Sequence, residues 1–254
     1  MQSYRWLVNP KNKKRMTNGN VGIQNTKNGM LLAYIAKRIP NIHLRKLLKI
    51  VYLIDESFVI KRGYPLTWFT YYAWAKGPVA PEVYQVKSGN FSKFVTARKE
   101  CQLGEEKSKW IVNTTNPKLS DIQLFEEMGE FSTVELDVID TLLDKYADKS
   151  ADELTSLTHQ PDSLWSQIVA ENNLVFDEQH KQSEVEIPLI RHIKDREDLM
   201  EVYEDAKWSM EFQDLLKYRV VVICFKRGRS YWLLLKIYIP LRKSFLSRCI
   251  GMTT

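Results

Sequence analysis

The stretch Trp74-Ala-Lys-Gly-Pro-Val-Ala-Pro-Glu-Val-Tyr84 is the most informative part of this sequence. Gly77 permits a backbone conformation that other residues avoid, and Pro78 fixes the direction of the chain that follows. Pro81 and Glu82 suit the first turn of a helix, where proline loses no hydrogen bond and a carboxylate faces the positive end of the dipole. The stretch therefore predicts a Gly-Pro corner that breaks the preceding segment and leads into a helix.

Aromatic residues flank this corner on both sides. Residues 64–75 are rich in aromatic and β-branched side chains, so this segment is either extended or a short buried helix. We expect Trp74 and Tyr84 to pin the two sides of the corner to the core. Two interpretations remain open: the stretch defines the fold, or it contacts a partner directly.

The residues before the corner predict a buried central helix. Residues 44–58 place apolar side chains at the i, i+3, i+4, i+7 spacing of a helix. The intervening positions are also largely apolar, which is typical of a helix buried at the centre of a bundle. Gly63 suits the position after its last turn. A preceding helix is predicted from Lys27 onward, and Pro40 ends it.

The residues after the corner predict a small β-hairpin and several helices. The hairpin pairs Phe94-Val95 with Trp110-Ile111-Val112. Ser132-Thr-Val-Glu135 and Ser150-Ala-Asp-Glu153 are capping boxes, and each predicts the start of a helix. Pro161-Asp162 is expected to start another helical turn. The predicted fold class is therefore mainly α: a compact helical bundle around a buried central helix, with a small β-hairpin and a C-terminal extension.

Charge is distributed unevenly along the chain. The formal net charge of +6 is distributed as +5 over residues 1–20, −8 over residues 21–216 and +9 over residues 217–254. The basic ends favour an anionic partner such as nucleic acid, whereas the acidic body does not. We predict four segments, which are a basic flexible leader at 1–25, a helical domain at 26–180, a C-terminal amphipathic helix region at 181–216, and a basic apolar tail of unknown role at 217–254.

The C-terminal tail has three interpretations at this point. Its apolar runs, Val220 to Phe225 and Trp232 to Ile239, flank a basic Gly-containing turn and suit a hairpin. The same composition suits a segment lying on a membrane surface, or a vestigial extension of the chain.

Cysteine usage and hydropathy predict a cytoplasmic protein. Three separated cysteines without a C-x-x-C motif are typical of a reducing compartment. The basic N-terminal residues are not followed by the apolar region of a secretory signal. No run of about 18 uncharged apolar residues predicts a membrane span.

Catalytic and metal-binding motifs are missing from the sequence. It contains no P-loop, Rossmann fingerprint, H-E-x-x-H motif or nucleophile elbow. The adjacent pair Asp55-Glu56 diverges on a helix surface, so we interpret it as a helix-rim ion pair. A hydroxyl-imidazole pairing of Ser156 with His159 has no third orienting group. We therefore expect a binding protein rather than an enzyme, with no metal and no cofactor.

Three segments together resemble the Panacea-domain family, the SocA-like antitoxins. Leu44-Arg-Lys-Leu-Leu-Lys-Ile-Val-Tyr-Leu-Ile-Asp55 is similar to the family helix K-L-x-K-L-L-Y-x-A. The stretch from Trp74 to Tyr84 is similar to the family pattern W-x-x-G-P-V-x-P-E-V-Y. Leu154-Thr-Ser-Leu-Thr-His159, followed by Trp165, resembles a third family element. The resemblance extends over roughly residues 27–168.

The resemblance implies an antitoxin of a toxin–antitoxin system, associated with a phage or mobile element. Such a protein neutralises a cognate protein toxin, encoded in the adjacent gene, by direct binding or by delivering it to a protease. The candidate partner-binding or fold-signature residues are Trp74, Lys76, Gly77, Pro78, Pro81, Glu82, Tyr84, His159 and Trp165. The alternative function is a nucleic-acid-binding regulatory protein that uses the basic ends of the chain.

Overall fold

The computed structural model describes residues 23–101, 109–116, 131–217, 221–227 and 230–236. These residues fall into two compact units, one ending at Glu204 and the other beginning at Asp205. The predicted leader lies outside the described residues up to residue 22, as does the end of the predicted tail from residue 237.

The described elements are mainly helical, as predicted. The helices are α1 (Ile23–Arg38), α2 (Leu44–Arg62), α3 (Pro81–Tyr84), α4 (Thr133–Tyr146), α5 (Ala151–Thr158), α6 (Leu164–Glu171) and α7 (Glu197–Lys217). The strands are β1 (Ile42–His43), β2 (Tyr72–Trp74), β3 (Gly77–Val79), β4 (Val95–Glu100), β5 (Lys109–Thr114), β6 (Val221–Arg227) and β7 (Ser230–Lys236). Short 3₁₀ helices follow α3 at Gln85–Ser88 and precede α7 at Leu189–Ile193.

Helix α2 forms the centre of the first unit's core. Its apolar residues are buried on nearly every face, and it contacts α1, α4, α5 and the 3₁₀ helix Leu189–Ile193. The predicted stop is confirmed, because Gly63 adopts a left-handed conformation with φ of 84° and its N–H donates to the carbonyl of Val59. The buried central helix follows directly from the continuous apolar pattern.

The corner at Gly77-Pro78 differs from its prediction. Residues 72–74 and 77–79 pair as antiparallel strands, with Trp74 opposite Gly77 and only Ala75-Lys76 in the turn. The chain therefore reverses before Gly77, and Gly77-Pro78 lies within β3 instead of breaking the preceding element. Gly77, the first residue after the turn, has a φ of 102°, which lies in the left-handed region that glycine adopts readily.

The predicted hairpin after residue 91 is confirmed as β4 and β5. Ala97 lies opposite Val112, and β1 adds to the other edge of β5 to give the antiparallel order β1-β5-β4. The addition of β1 has no local sequence signal, because a strand of two residues shows no periodicity.

Both predicted capping boxes are confirmed. The Ser132 hydroxyl accepts from the N–H of Glu135 at 3.2 Å, and the Glu135 carboxylate accepts from the N–H of Ser132 at 2.8 Å. Ser150 and Glu153 make the same reciprocal pair. The start predicted at Pro161-Asp162 was early: α6 begins at Leu164, since the Ser163 hydroxyl caps the N–H of Ser166.

The polar stretch after residue 180 runs along β2. The N–H groups of Ala75 and Ala73 donate to the carbonyls of Lys181 and Val185, each at 2.9 Å. The N–H of Ile187 donates to the carbonyl of Tyr71 at 2.7 Å. These backbone hydrogen bonds satisfy one edge of β2, which a two-stranded ribbon would leave open.

In the second unit, β6 and β7 form an antiparallel hairpin. Val221 lies opposite Lys236, and Arg227 lies opposite Ser230. The hairpin was one of the three interpretations of the tail, and the backbone of these two strands forms it. No helix in the described part of the chain combines the length and apolar character that crossing a membrane requires.

Candidate functional site

The three separated sequence motifs meet at the β2–β3 hairpin. The rings of Trp74 and Tyr84 meet edge to face with centroids 5.0 Å apart. The indole N–H of Trp165 donates to the carbonyl of Trp74 at 3.0 Å, and the rings of Trp165 and His159 lie 3.8 Å apart. Four of the nine predicted site residues therefore form one connected aromatic cluster.

The other five predicted site residues lie around this cluster with different exposure. Gly77 and Pro78 are buried in β3, and Pro81 is partly exposed at the start of α3. Lys76 is exposed in the hairpin turn, and Glu82 is exposed in the first turn of α3. The burial of Gly77 and Pro78 favours the interpretation that the stretch defines the fold. The side chains of Lys76 and Glu82 are exposed to solvent.

A buried lysine of α2 lies at the centre of this arrangement. Lys49 is only 1% exposed, and its Nζ has no hydrogen-bond partner among the described residues. Burial, together with the smaller effect of the nearby charge of Arg45, lowers the pKa of Lys49 to about 7. Buried lysines without a partner are rare, because an ammonium loses its hydration without compensation.

Gly77 makes room for the Lys49 ammonium. A Cβ added to Gly77 would lie 2.1 Å from Lys49 Nζ, 2.9 Å from Thr158 Oγ1 and 3.0 Å from His159 Cε1. Every one of these distances is at or below the shortest that real Cβ contacts show. Position 77 therefore requires glycine for two reasons, a positive φ and the absence of a side chain.

The helix-end residue His159 is fixed by its own helix. Its Nδ1 lies 2.7 Å from the carbonyl oxygen of Thr155, which can only accept, so Nδ1 carries the hydrogen. Burial lowers the pKa of His159, and the charges of Lys49 and Lys76 lower it further. The Ser156 hydroxyl donates to the carbonyl of Asp152, so it does not pair with His159.

Lys49 also lies in the wall of a groove of about 1310 Å³. Aromatic side chains from four elements or loops line this groove, namely Trp74, Tyr84, Trp110 and Phe176. Its lining contains seven Lys and Arg residues and five Asp and Glu residues. The groove therefore combines apolar aromatic surface with an excess of positive charge.

The adjacent acids of α2 have separate roles, which corrects the prediction of a rim ion pair for Asp55. Asp55 is fully buried and accepts hydrogen bonds from Thr67 N at 2.9 Å, from Tyr71 Oη at 2.7 Å and from Thr67 Oγ1. Burial raises the pKa of Asp55 to about 6, and these hydrogen bonds oppose the rise. Glu56 instead accepts from Tyr52 Oη at 2.9 Å and lies 3.0 Å from His192 Nε2.

Sequence reasoning missed Lys49 although a signal was present. Lys49 is the second lysine of the stretch that matches K-L-x-K-L-L-Y, in a helix whose other positions predict burial on nearly all sides. A lysine inside such a helix must be buried along with its neighbours. Its contact with Gly77 joins residues far apart in the sequence, so only the folded chain displays it.

Gly77→Ala should lower the free energy of unfolding by about 3 kcal/mol, because it adds a steric clash to an unfavourable φ. Gly89→Ala is the matched control, since Gly89 has a φ of +95° and nothing within 4 Å of an added Cβ. The control should lose only about 1 kcal/mol. Urea unfolding of the two variants measures the difference, and equal losses would contradict the steric role of Lys49.

The chemistry available here is donation from a buried amine and contact with aromatic faces. No group of three or more His, Cys, Asp or Glu side chains within the described ranges could hold a metal ion. The Lys49 ammonium can donate up to three hydrogen bonds, and the groove wall can pack apolar side chains. This combination suits the recognition of a partner.

The comparison with protein families gives one match. Residues 47–166 match the family described as Antitoxin SocA-like, Panacea domain. The resemblance predicted from the three motifs is thereby confirmed, and the matched segment extends from α2 through the first residues of α6. No curated protein and no solved structure gave a significant match.

Proposed function

We propose, from the SocA-like Panacea domain at residues 47–166, that this protein is the antitoxin of a toxin–antitoxin system and neutralises a cognate protein toxin by direct binding. The family match is the observation on which the proposal depends. An antitoxin acts as a regulator by binding, so the protein is proposed to have no catalytic activity of its own. The proposed location is the cytoplasm, and a phage or mobile element is the proposed genetic setting.

The groove beside the β2–β3 hairpin is the proposed toxin-binding surface. It lies within the first unit, and Trp74, Tyr84 and Lys76 line it. A few well-packed residues, enriched in Trp, Tyr and Arg, supply most of the binding energy in protein interfaces. Of the predicted site residues, we propose that Lys76 and Tyr84 contact the toxin, while Gly77, Pro78 and Trp165 shape the surface.

Co-expression with the product of the adjacent gene tests this proposal. The adjacent product should arrest growth alone, and the wild-type chain should restore growth. The double substitution Lys76→Glu with Tyr84→Ala should weaken this rescue, because it removes a cation and an aromatic anchor of the groove. Lys61→Glu is the matched control, since Lys61 is exposed on α2 and does not line the groove. An adjacent product that is harmless, or that stays toxic with the wild-type chain, would refute the antitoxin role.

Direct binding and delivery to a protease make different predictions for the toxin. Direct binding leaves the amount of toxin unchanged and yields a complex that copurifies. A proteolytic adaptor shortens the half-life of the toxin, and its rescue fails in cells that lack the protease. A pulse-chase measurement of the toxin in both strains separates these two mechanisms.

The charge distribution supports a second candidate function, a nucleic-acid-binding regulator. The basic residues concentrate in residues 1–20 and 217–254, whereas residues 21–216 sum to −8. This candidate requires an affinity for nucleic acid that falls steeply with salt. Removal of both basic ends should abolish that salt dependence, and a salt-independent affinity would exclude this candidate.

A further inference from the structure

The buried ammonium of Lys49 requires a hydrogen-bond acceptor, and the described residues do not provide one. Its Nζ is enclosed by Gly77 on one side, with Thr158 and His159 close by. The Thr158 hydroxyl already donates to the carbonyl of Thr155 at 3.0 Å, and His159 Nδ1 lies 2.7 Å from the same carbonyl. Neither side chain forms a hydrogen bond with Lys49 Nζ.

The acids that line the groove are largely occupied by other groups. Asp152 pairs with Arg45 at 2.9 Å, and Glu153 accepts from the N–H of Ser150 at 2.7 Å. Asp177 accepts from the backbone N–H groups of Gln179 and His180. The lining nevertheless has seven Lys and Arg residues against five Asp and Glu residues, an excess of positive charge although residues 21–216 as a whole are acidic.

We propose that this groove binds an acidic segment of the toxin, and that a carboxylate of that segment accepts a hydrogen bond from Lys49 Nζ. The proposal rests on the antitoxin function proposed above. Trp74, Tyr84 and Trp110 would pack apolar side chains of the same segment. A charge-assisted hydrogen bond within a dry site is both strong and selective for position.

Entry of the carboxylate requires a small movement of the hairpin. The accessible area of Lys49 Nζ is below 1 Å² in the free chain. Lys49 and the turn residues Ala75 and Lys76 line the same groove, and the turn has only these two residues. Displacement of this short turn, whose Lys76 side chain is exposed, gives a carboxylate access to the ammonium.

A carboxylate explains the groove better than the phosphates of a nucleic acid. A nucleic acid presents a continuous run of phosphates and requires a long basic stripe, whereas this groove has seven Lys and Arg residues against five Asp and Glu residues. Aromatic side chains beside one buried cation suit a peptide that alternates apolar and acidic residues. Nucleic-acid binding is therefore an alternative outcome of the experiment.

Thermal unfolding with small anions tests the carboxylate site without the toxin. Glutarate, sodium chloride and inorganic phosphate are compared at equal ionic strength and pH 7. Glutarate should raise the Tm of the wild-type chain by about 3 °C above the chloride value, because it binds the native state alone. Lys49→Met should lose this shift. Lys61→Met should keep it, since Lys61 is exposed on α2, does not line the groove, and its replacement removes the same charge.

Two results of the unfolding experiment would overturn the proposal. An equal glutarate shift in Lys49→Met would show that the anion binds elsewhere. A phosphate shift as large as the glutarate shift would assign the site to phosphate groups instead, and thereby to a nucleic-acid partner.

Toxin binding then decides whether the site serves the proposed function. Lys49→Met should weaken toxin affinity on the order of a hundredfold and impair rescue, whereas Lys61→Met should not. Unchanged affinity in Lys49→Met would overturn the assignment of the site to the toxin. If the wild-type chain itself gives no rescue, the antitoxin function fails, and the glutarate experiment still decides the carboxylate site.

Discussion

Replacement of Asp55 with alanine should lower the free energy of unfolding by about 4 kcal/mol. The carboxylate of Asp55 accepts from Tyr71 Oη and from both the N–H and the hydroxyl of Thr67. Alanine would leave these donors buried without an acceptor and would open a cavity beside α2. Urea unfolding at pH 7 measures the loss.

The control for this substitution is Glu56→Ala on the same helix. Glu56 lies nearer the surface and accepts from Tyr52 Oη, so its loss should cost only about 1 kcal/mol. A loss at Asp55 no larger than the loss at Glu56 would contradict the structural role of the buried carboxylate.

The pH dependence of the Asp55 effect follows from its raised pKa. The folded-state pKa of about 6 lies above the ordinary value of 3.8, so the folded state binds a proton more tightly than the unfolded state. The contribution of Asp55 to stability is therefore largest below pH 4 and falls as the pH rises to 6. The difference between wild type and Asp55→Ala should accordingly be larger at pH 4 than at pH 7.

Replacement of Lys49 with methionine should have the opposite sign and stabilise the chain. Methionine fills nearly the same volume without a charge, and Lys49 Nζ has no hydrogen bond to lose within the described residues. The ordinary pKa of 10.5 falls to about 7 in the folded state, which corresponds to a cost on the order of 5 kcal/mol when lysine is charged in both states.

The gain from Lys49→Met should depend on pH. Between pH 7 and pH 10.5 the unfolded chain binds this proton and the folded chain does not, so wild-type stability rises with pH. The gain is therefore complete below pH 7 and shrinks toward pH 10.5. Urea unfolding of both proteins at pH 6 and pH 9 measures this change. Groups other than Lys49 cancel in the comparison.

Lys76→Met provides the matched control for the lysine experiment. Lys76 is exposed in the β2–β3 turn, so its replacement should change stability by no more than about 0.5 kcal/mol at either pH. A gain in Lys49→Met that is the same at pH 6 and pH 9 would contradict the buried-charge interpretation.

The free-energy cost of burying Lys49 links the stability of the chain to its proposed function. An apolar residue at position 49 of α2 would give a more stable chain. Retention of a destabilising lysine is typical of a site that awaits a partner, because strain and desolvation concentrate where binding occurs. The same substitution is therefore expected to raise stability and to weaken binding of the toxin.

Features that depend on neighbouring residues could be predicted from the sequence. Ser132-Thr-Val-Glu135 and Ser150-Ala-Asp-Glu153 each specify a capping box, since both partners lie within one helical turn. The apolar pattern of α2 and the stop at Gly63 are equally local. The three motifs also carried the family resemblance, because a family pattern requires only the residues and their spacing.

Hydrogen bonds and contacts between distant residues depend on the tertiary structure. Helical spacing alone suggests that Asp55 lies at the rim of α2, because it does not reveal that Thr67 and Tyr71 donate hydrogen bonds to Asp55. Residues 72–79 form a hairpin instead of a corner, since β3 pairs with β2 and β2 pairs with residues after 180. The requirement for Gly77 comes from Lys49, 28 positions earlier in the sequence. Such contacts arise when packing brings separate segments together, and no local pattern encodes them.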